Sequence, residues 1–171
     1  MKMIFPGFES PESAAPAPAW GGTLRSIAAR DLDAVAALEV LCNTQPWSRE
    51  ALKTCVATEG RIANVAEREG KVIGYAVASN VADEGEILIL GIHPDARRQG
   101  AGRALLTGVL ADLAQAGASS VFLEVRYRNA AAIALYNALG FGEAGVRKGY
   151  YADTGEDAVL MHVFLNRGKK A

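Results

Sequence analysis

The chain is poor in the residues that would mark a metalloprotein or a disulfide-stapled domain. Among 171 residues there are two cysteines, Cys42 and Cys55, and two histidines, His93 and His162. Two thiols cannot build a disulfide framework, their spacing fits no zinc pattern, and neither histidine has a cysteine or carboxylate cluster beside it. A metal site made by protein groups alone is therefore not expected. Charge of one sign is also missing. The balance of 18 Lys+Arg against 19 Asp+Glu leaves −1, which excludes the broad positive field of bulk nucleic-acid binding. Long hydrophobic runs are absent too. The longest, residues 87–92, falls far short of the roughly 20 residues that span a bilayer. The opening Met1-Lys2-Met3-Ile4-Phe5-Pro6 turns polar by Glu9, too early for a secretory signal. The expectation is a protein of the reducing cytoplasm, with neither membrane nor nucleic acid as a direct partner.

What is present reads as one domain. Half of the residues are hydrophobic and 22% are charged, an ordinary composition for a chain with its own core. Residues 1–22 stand apart. They hold Pro6, Pro11, Pro16 and Pro18, four of the six prolines, and end on Gly21-Gly22. Such a segment buries too little to offset its ordering entropy, so it is expected to be a flexible extension. Phe5, Phe8 and Trp20 leave open a short docking motif. The domain is expected to occupy residues 23–171.

Two periodicities alternate along that domain. Residues 23–27 read as a strand. Asp31 is expected to cap a helix whose apolar stripe is Leu32, Val35, Leu38 and Leu41, and Ser48 to cap a second helix after Pro46-Trp47. Residues 61–67 and 71–79 form a hairpin around Glu69-Gly70. Residues 86–92 are nearly all apolar, as in a strand covered on both faces. Residues 102–116 are helical, 120–126 a strand, 130–139 a helix ended by Gly140, and 141–147 with 158–165 two last strands. The order β-α-α-β-β-β-α-β-α-β-β gives a mixed α/β sheet of about six to seven strands with helices on both faces.

The most specific segment is His93-Pro94-Asp95-Ala96-Arg97-Arg98-Gln99-Gly100-Ala101-Gly102-Arg103. It follows a strand and opens a helix, where unpaired N–H groups and the positive dipole end favour an anion. Gly100 and Gly102 remove side chains, and Arg97, Arg98 and Arg103 add positive charge, so a diphosphate suits the loop. It is not a P-loop, because Gly102 is followed by Arg103-Ala104, nor a dinucleotide fingerprint, because Leu105 stands where a third small residue belongs. An ordinary packing turn is the alternative.

Arg97-Arg98-Gln99-Gly100-Ala101-Gly102 resembles the acetyl-CoA pyrophosphate loop of GNAT N-acetyltransferases, and the element order resembles the GNAT fold. Leu123-Glu124-Val125-Arg126, the run Asn129-Ala130-Ala131-Ala132-Ile133-Ala134-Leu135-Tyr136, Leu139-Gly140-Phe141, Pro46-Trp47-Ser48 and Tyr150-Tyr151 are together similar to the RimI-type ribosomal-protein-alanine N-acetyltransferases. The resemblance implies acetyl-CoA as co-substrate and the N-terminal peptide of a small-subunit ribosomal protein as partner. It implies that the backbone of Leu90, Gly91 and Ile92, the loop residues Arg98, Gln99, Gly100, Ala101, Gly102 and Arg103, and Asn129 bind the cofactor.

The chemistry then needs a base and an acid. Glu124 faces away from Val121, Leu123 and Val125 on its strand, and a carboxylate in a covered strand needs a partner or a task. It is the candidate base, the alternative being an ion pair with Arg126 or a rim lysine. Tyr136 is the candidate acid, two helical turns from Asn129, the alternative being a core tyrosine. Gly91 inside a strand signals a bulge or a close backbone approach. Trp47, Tyr150 and Tyr151 are candidates for a peptide-binding wall with Glu156 and Asp157 as acidic neighbours, or else scattered surface aromatics. Cys42, Cys55 and His93 read as structural, with neither thiol near the cofactor segments.

Overall fold

A computed structural model describes residues 20–165. The strands are β1 (Thr23–Ser26), β2 (Arg61–Arg68), β3 (Lys71–Val81), β4 (Glu84–Ile92), β5 (Ser120–Arg126), β6 (Gly142–Tyr151) and β7 (Glu156–Phe164). The helices are α1 (Leu32–Cys42), α2 (Arg49–Val56), α3 (Ala101–Gln115) and α4 (Ala130–Ala138). Single 3-10 turns at Ala29–Asp31 and Pro94–Ala96 precede α1 and α3. The strands form one sheet in the order β1-β2-β3-β4-β5-β7-β6. β4 and β5 run parallel, and the other neighbours pair antiparallel.

Alternation along each strand feeds two cores. On one face Ala66, Ala76, Ile87, Val121 and Leu123 meet Leu105, Leu106, Val109 and Leu113 of α3 and Leu139 beyond α4. On the other, Val65 and Tyr75 meet Leu32, Val35 and Leu38 of α1 and Leu52 of α2. The helices therefore cover both faces, as the sequence pattern implies.

Local signals set the ends of several elements. Glu69 and Gly70 both take positive φ, 52° and 73°, the geometry of a two-residue hairpin turn. Ser48 Oγ accepts the Ala51 N–H at 3.1 Å and starts α2. Gly140, at φ 87°, ends α4, with the Phe141 N–H returning to the Tyr136 carbonyl at 3.1 Å.

Two expectations about α1 are corrected. Asp31 does not cap the helix with its side chain. It is buried and held by Arg25, whose Nη1 and Nη2 reach its two oxygens at 2.6 and 2.8 Å, and it accepts the Ala28 N–H at 2.7 Å. The stripe also turns. Leu41 is 54% exposed, and Glu39 is fully buried in its place. Residues 1–19, which include Phe5 and Phe8, lie outside the described residues. Trp20 packs against the larger core.

The Arg25–Asp31 pair gives a stability prediction. Arg25 holds the Asp31 carboxyl down at about 2. A lowered carboxyl contributes stability above its unfolded value of about 3.9 and loses it as pH falls through its folded value. Arg25→Ala leaves a buried carboxylate without its cation and should cost about 2–3 kcal/mol at pH 7. Urea unfolding of wild type and variant should show that gap at pH 7 and a much smaller one at pH 2.

Candidate active site

The site begins where the sheet comes apart. β4 and β5 pair from Glu84↔Ser120 to Ile87↔Leu123 and then diverge. Beside that point the β3 register jumps from Val77↔Ile89 to Ala78↔Ile87, leaving Leu88 as the extra residue of a bulge. A bulge bends its strand, and this one carries β4 away from β5. The bulge thus falls at Leu88, not Gly91. Gly91 serves close approach instead, because a Cβ there would collide with the Tyr75 ring. The parted strands bound a cleft of about 460 Å³.

Backbone direction along β4 follows from one bond. His93 N–H donates to the Ile73 carbonyl at 2.8 Å, so by antiparallel alternation the polar groups of Leu90 and Ile92 point away from β3, into the gap. The Ile92 carbonyl is engaged there, by Arg97 Nε at 3.0 Å and the Cys42 thiol at 3.4 Å. Arg97 spends its Nε on that carbonyl yet stays exposed, and Arg97, Arg98 and Arg103 all lack an ion pair among the described residues. One expectation changes here. Cys42 does lie beside the Leu90–Ile92 backbone, and it lines the cleft.

Past the Pro94–Ala96 turn, Arg98 takes φ 63° and Gly100 φ 95°. Both are left-handed, a conformation that only glycine adopts freely. α3 starts at once, its first bond running from Ala104 N–H to the Gly100 carbonyl at 3.0 Å. The N–H groups of Ala101, Gly102 and Arg103 precede it and are free for an anion. Ala101 is buried and offers only its backbone. The Gln99 side chain is used inside the loop, donating to the Asp95 carbonyl at 2.8 Å and accepting from Arg68 at 2.7 Å. A Cβ at Gly102 would make ordinary contacts at 3.5 Å, so Gly100 is the position whose conformation demands glycine.

Glu124, Tyr136, Asn129, Trp47, Tyr150, Tyr151 and Leu90 all line the cleft. Glu124 stands on the β5 face opposite Val121, Leu123 and Val125. Its ion-pair partner is neither Arg126 nor a lysine. Arg147 of β6 reaches Glu124 Oε1 at 2.9 Å. The Glu124 carboxylate, hydrogen-bonded to Tyr150, pushes that phenol above the usual tyrosine range. Arg126 instead binds Asp153 and Thr44, each at 2.8 Å, and lies over the Tyr151 ring at 3.9 Å. Thr44 also donates to Asp153 at 2.8 Å, so the α1–α2 and β6–β7 connections meet across the cleft.

Glu156 and Asp157 are not free acidic neighbours. Glu156 accepts from the Arg128 N–H at 2.8 Å and pairs with Arg126 at 3.4 Å, while Asp157 takes Lys148 at 2.7 Å and the Gly149 N–H at 2.8 Å. Asn129 caps α4, its Oδ1 accepting the Ala132 N–H at 3.1 Å. Tyr136 is 7% exposed, and burial, with Tyr151 nearby, pushes its phenol up to about 12. It is therefore protonated, a potential proton donor, through the physiological range. Sequence reasoning missed Glu39 and Arg147. An acid four residues after Val35 on an otherwise apolar face was a readable signal for the first. Nothing local marked the second.

Among the described residues, no cluster of three or more His, Cys, Asp or Glu could hold a metal, and no helix is long and apolar enough to cross a membrane. The family model described as the acetyltransferase (GNAT) family matches residues 32–141. The chain is 40% identical over 143 residues to the [ribosomal protein bS18]-alanine N-acetyltransferase of Escherichia coli K12, covering 81% of this chain and 95% of that protein. The crystal structure of the ribosomal-protein-S18-alanine N-acetyltransferase from Escherichia coli superposes with a TM-score of 0.79 at 35% identity, covering 88% of this chain and 98% of that one. The fold is also that of yncA from Salmonella typhimurium, solved with its cofactor acetyl-CoA, at a TM-score of 0.76 and 21% identity, over 88% of this chain and 97% of that one.

Proposed function

The chain belongs to the GNAT acetyltransferase family and is an N-acetyltransferase; from that premise we propose that it moves the acetyl group of acetyl-CoA to the N-terminal alanine amine of a small-subunit ribosomal protein. The observation that carries this reading is the cleft between the parted ends of β4 and β5, which a carboxylate, Glu124, and a protonated phenol, Tyr136, both line. The relatives named for ribosomal-protein alanine acetylation supply the substrate class.

The α3 start fits a diphosphate through the Ala101, Gly102 and Arg103 N–H groups and the Arg98 and Arg103 charges. The Leu90 and Ile92 N–H groups face the gap, where they can hold the pantetheine arm and polarise the thioester carbonyl. Glu124 takes the proton of the attacking amine, directly or through one water. The C–N bond forms as the C–S bond breaks, and Tyr136 gives its proton to the departing thiolate and recovers one from the solvent. An α-amine, with a pKa of about 7.7–8.0 against about 10.4 for lysine, needs only modest help from a carboxylate. Trp47, Tyr150 and Tyr151 wall the side from which the peptide enters. Direct attack in a ternary complex requires no covalent relay through Cys42.

Initial rates on an alanine-headed peptide, the same peptide blocked at its N-terminus but carrying a lysine, and small free amines test the reading. The free alanine terminus should be preferred at least about tenfold in kcat/KM. Equal or better use of lysine or a free amine would replace the proposed substrate. Mass spectrometry of N-termini in an extract lacking the enzyme, with the protein and acetyl-CoA added, identifies the protein modified. Cofactor binding has its own test. Gly100→Glu forces a side chain into a left-handed position and sets negative charge against the phosphates. Calorimetry with acetyl-CoA should show affinity lower by about 100-fold or more, and Arg98→Ala a milder loss. Unchanged affinity in Gly100→Glu would remove the phosphate assignment.

A further inference from the structure

Glu39 is a carboxylate with no access to solvent and, among the described residues, no cationic partner. An apolar side chain at this helix position would avoid the desolvation cost, so the carboxyl group calls for a role in what it holds. It holds three donors. The Tyr75 hydroxyl and Asn43 Nδ2, the latter at 2.7 Å, donate to one oxygen, and the Trp47 backbone N–H donates to the other at 2.9 Å. Asn43 also donates to the Tyr75 hydroxyl at 3.2 Å, closing a triad. Each donor leads to a part of the cleft. Asn43 opens the irregular α1–α2 connection and Trp47 stands one residue before its closing Ser48, with Thr44 and Gln45 between them on the cleft wall. Tyr75 occupies the space a Cβ at Gly91 would fill, so it fixes the connection's distance from the end of β4. Burial and the Glu39 carboxylate together raise the Tyr75 phenol far above the tyrosine range, which keeps it a donor.

We propose that Glu39 is a positioning residue for peptide selectivity: its buried carboxylate holds the Asn43–Trp47 connection, and with it the Trp47 wall, at a set distance from the β4 strand that faces the acetyl donor. The inference rests on the substrate reading above and adds to it the residue that sets the acceptor side. Glu39 lies fully buried at the floor of the cleft and acts through the Trp47 N–H that it accepts.

Glu39→Gln is the sharp test, because it keeps the volume but turns one acceptor into a donor that must face either Trp47 N–H or the Tyr75–Asn43 pair. In the full chain, KM for an alanine-headed peptide should rise about tenfold or more, with KM for acetyl-CoA within about twofold of wild type. A role in stability alone would not split the two constants in this way. The Trp47 amide, followed by hydrogen exchange in a nitrogen-15 correlation spectrum, should exchange at least about tenfold faster than in wild type. Should Glu39→Gln not fold, Tyr75→Phe keeps the ring against Gly91 and removes one donor, and a rise in peptide KM of about threefold with the same split is expected. Parallel changes in both KM values, or an unchanged Trp47 amide, would overturn the proposal. Were wild type inactive on every alanine-headed peptide, the substrate reading would fall, and Trp47 exchange would still decide whether Glu39 holds the connection.

Discussion

Glu124→Gln is expected to lower kcat/KM on an alanine-headed peptide by about 10²–10⁴-fold, the usual worth of a general base, with the largest deficit at low pH. The amide keeps the shape of the carboxylate and cannot accept a proton. Below the amine's pKa of about 7.7–8.0, most of the substrate is ammonium and the wild-type enzyme must remove the proton within the complex. Above it, solution supplies the neutral amine, so the variant should recover part of its rate as pH rises. The loss should not be one of folding. The partner released, Arg147, is 55% exposed and returns to water, and a pair so placed contributes little to stability. Thermal unfolding of the variant should therefore stay close to wild type. An equal loss at every pH would make Glu124 a peptide-binding or structural carboxylate, and a loss under tenfold would remove it from the proton path.

The second large effect is expected in Tyr136→Phe. The hydroxyl is lost and the ring stays in its buried place beside Phe141, 5.7 Å between centroids. Without a donor the thiolate must leave unprotonated, and kcat should fall by about 10²–10⁴-fold. High pH should not rescue it, since the missing proton is one the enzyme gives rather than takes. Acetyl-CoA affinity should stay within about twofold. In the wild type the phenol, raised to about 12, remains protonated through the working range, so no alkaline decline from Tyr136 is expected below about pH 11. Rescue of Tyr136→Phe at alkaline pH would assign the thiolate's proton to another source.

These two variants separate because the sequence already sorted their side chains. Glu124 lies on the strand face opposite three branched apolar residues, and Asn129 and Tyr136 share a helix at two-turn spacing; both patterns are local and both were legible. So were the Glu69-Gly70 turn and the Gly140 helix end, where one residue's backbone preference decides the outcome. What was not legible depends on register. Asp31 was read as a cap, the usual role of an acid before an apolar helix, but β1 brings Arg25 to it. Arg147 meets Glu124 from a short stretch of the β6–β7 ladder that lies between two irregularities, at Glu143/Gly145 and Arg147/Tyr151. Cys42 looked remote from residues 90–92 because 50 positions separate it from Ile92. Glu156 and Asp157 read as acidic neighbours of the aromatic wall, and the register gives them cations, Arg126 and Lys148. The stripe of α1 was misjudged in one of its four members, Leu41, because a buried Glu39 is stable only through donors from the following loop and from β3.

The brief β4–β5 pairing has a mechanical consequence. Four residue pairs, Glu84↔Ser120 to Ile87↔Leu123, are the whole ladder between a four-strand half-sheet and a three-strand half-sheet, extended at its start by the Ser119 N–H on the Asp83 carbonyl at 2.7 Å. Beyond it each half keeps its own ladder, while the core around α3 packs across both, so this line is where the sheet itself has the fewest bonds to lose. A ligand bound along that line acts as an eighth strand. It spans the two halves, raises the free energy of opening them, and couples two half-sheets whose strands are otherwise joined by a short stitch. At a ligand concentration of 100 times its dissociation constant, that coupling is worth about 2.7 kcal/mol. Protection against hydrogen exchange should rise most at the amides beside the seam and little at the β1 and β6 edges, so that the donor substrate completes the sheet before it reacts.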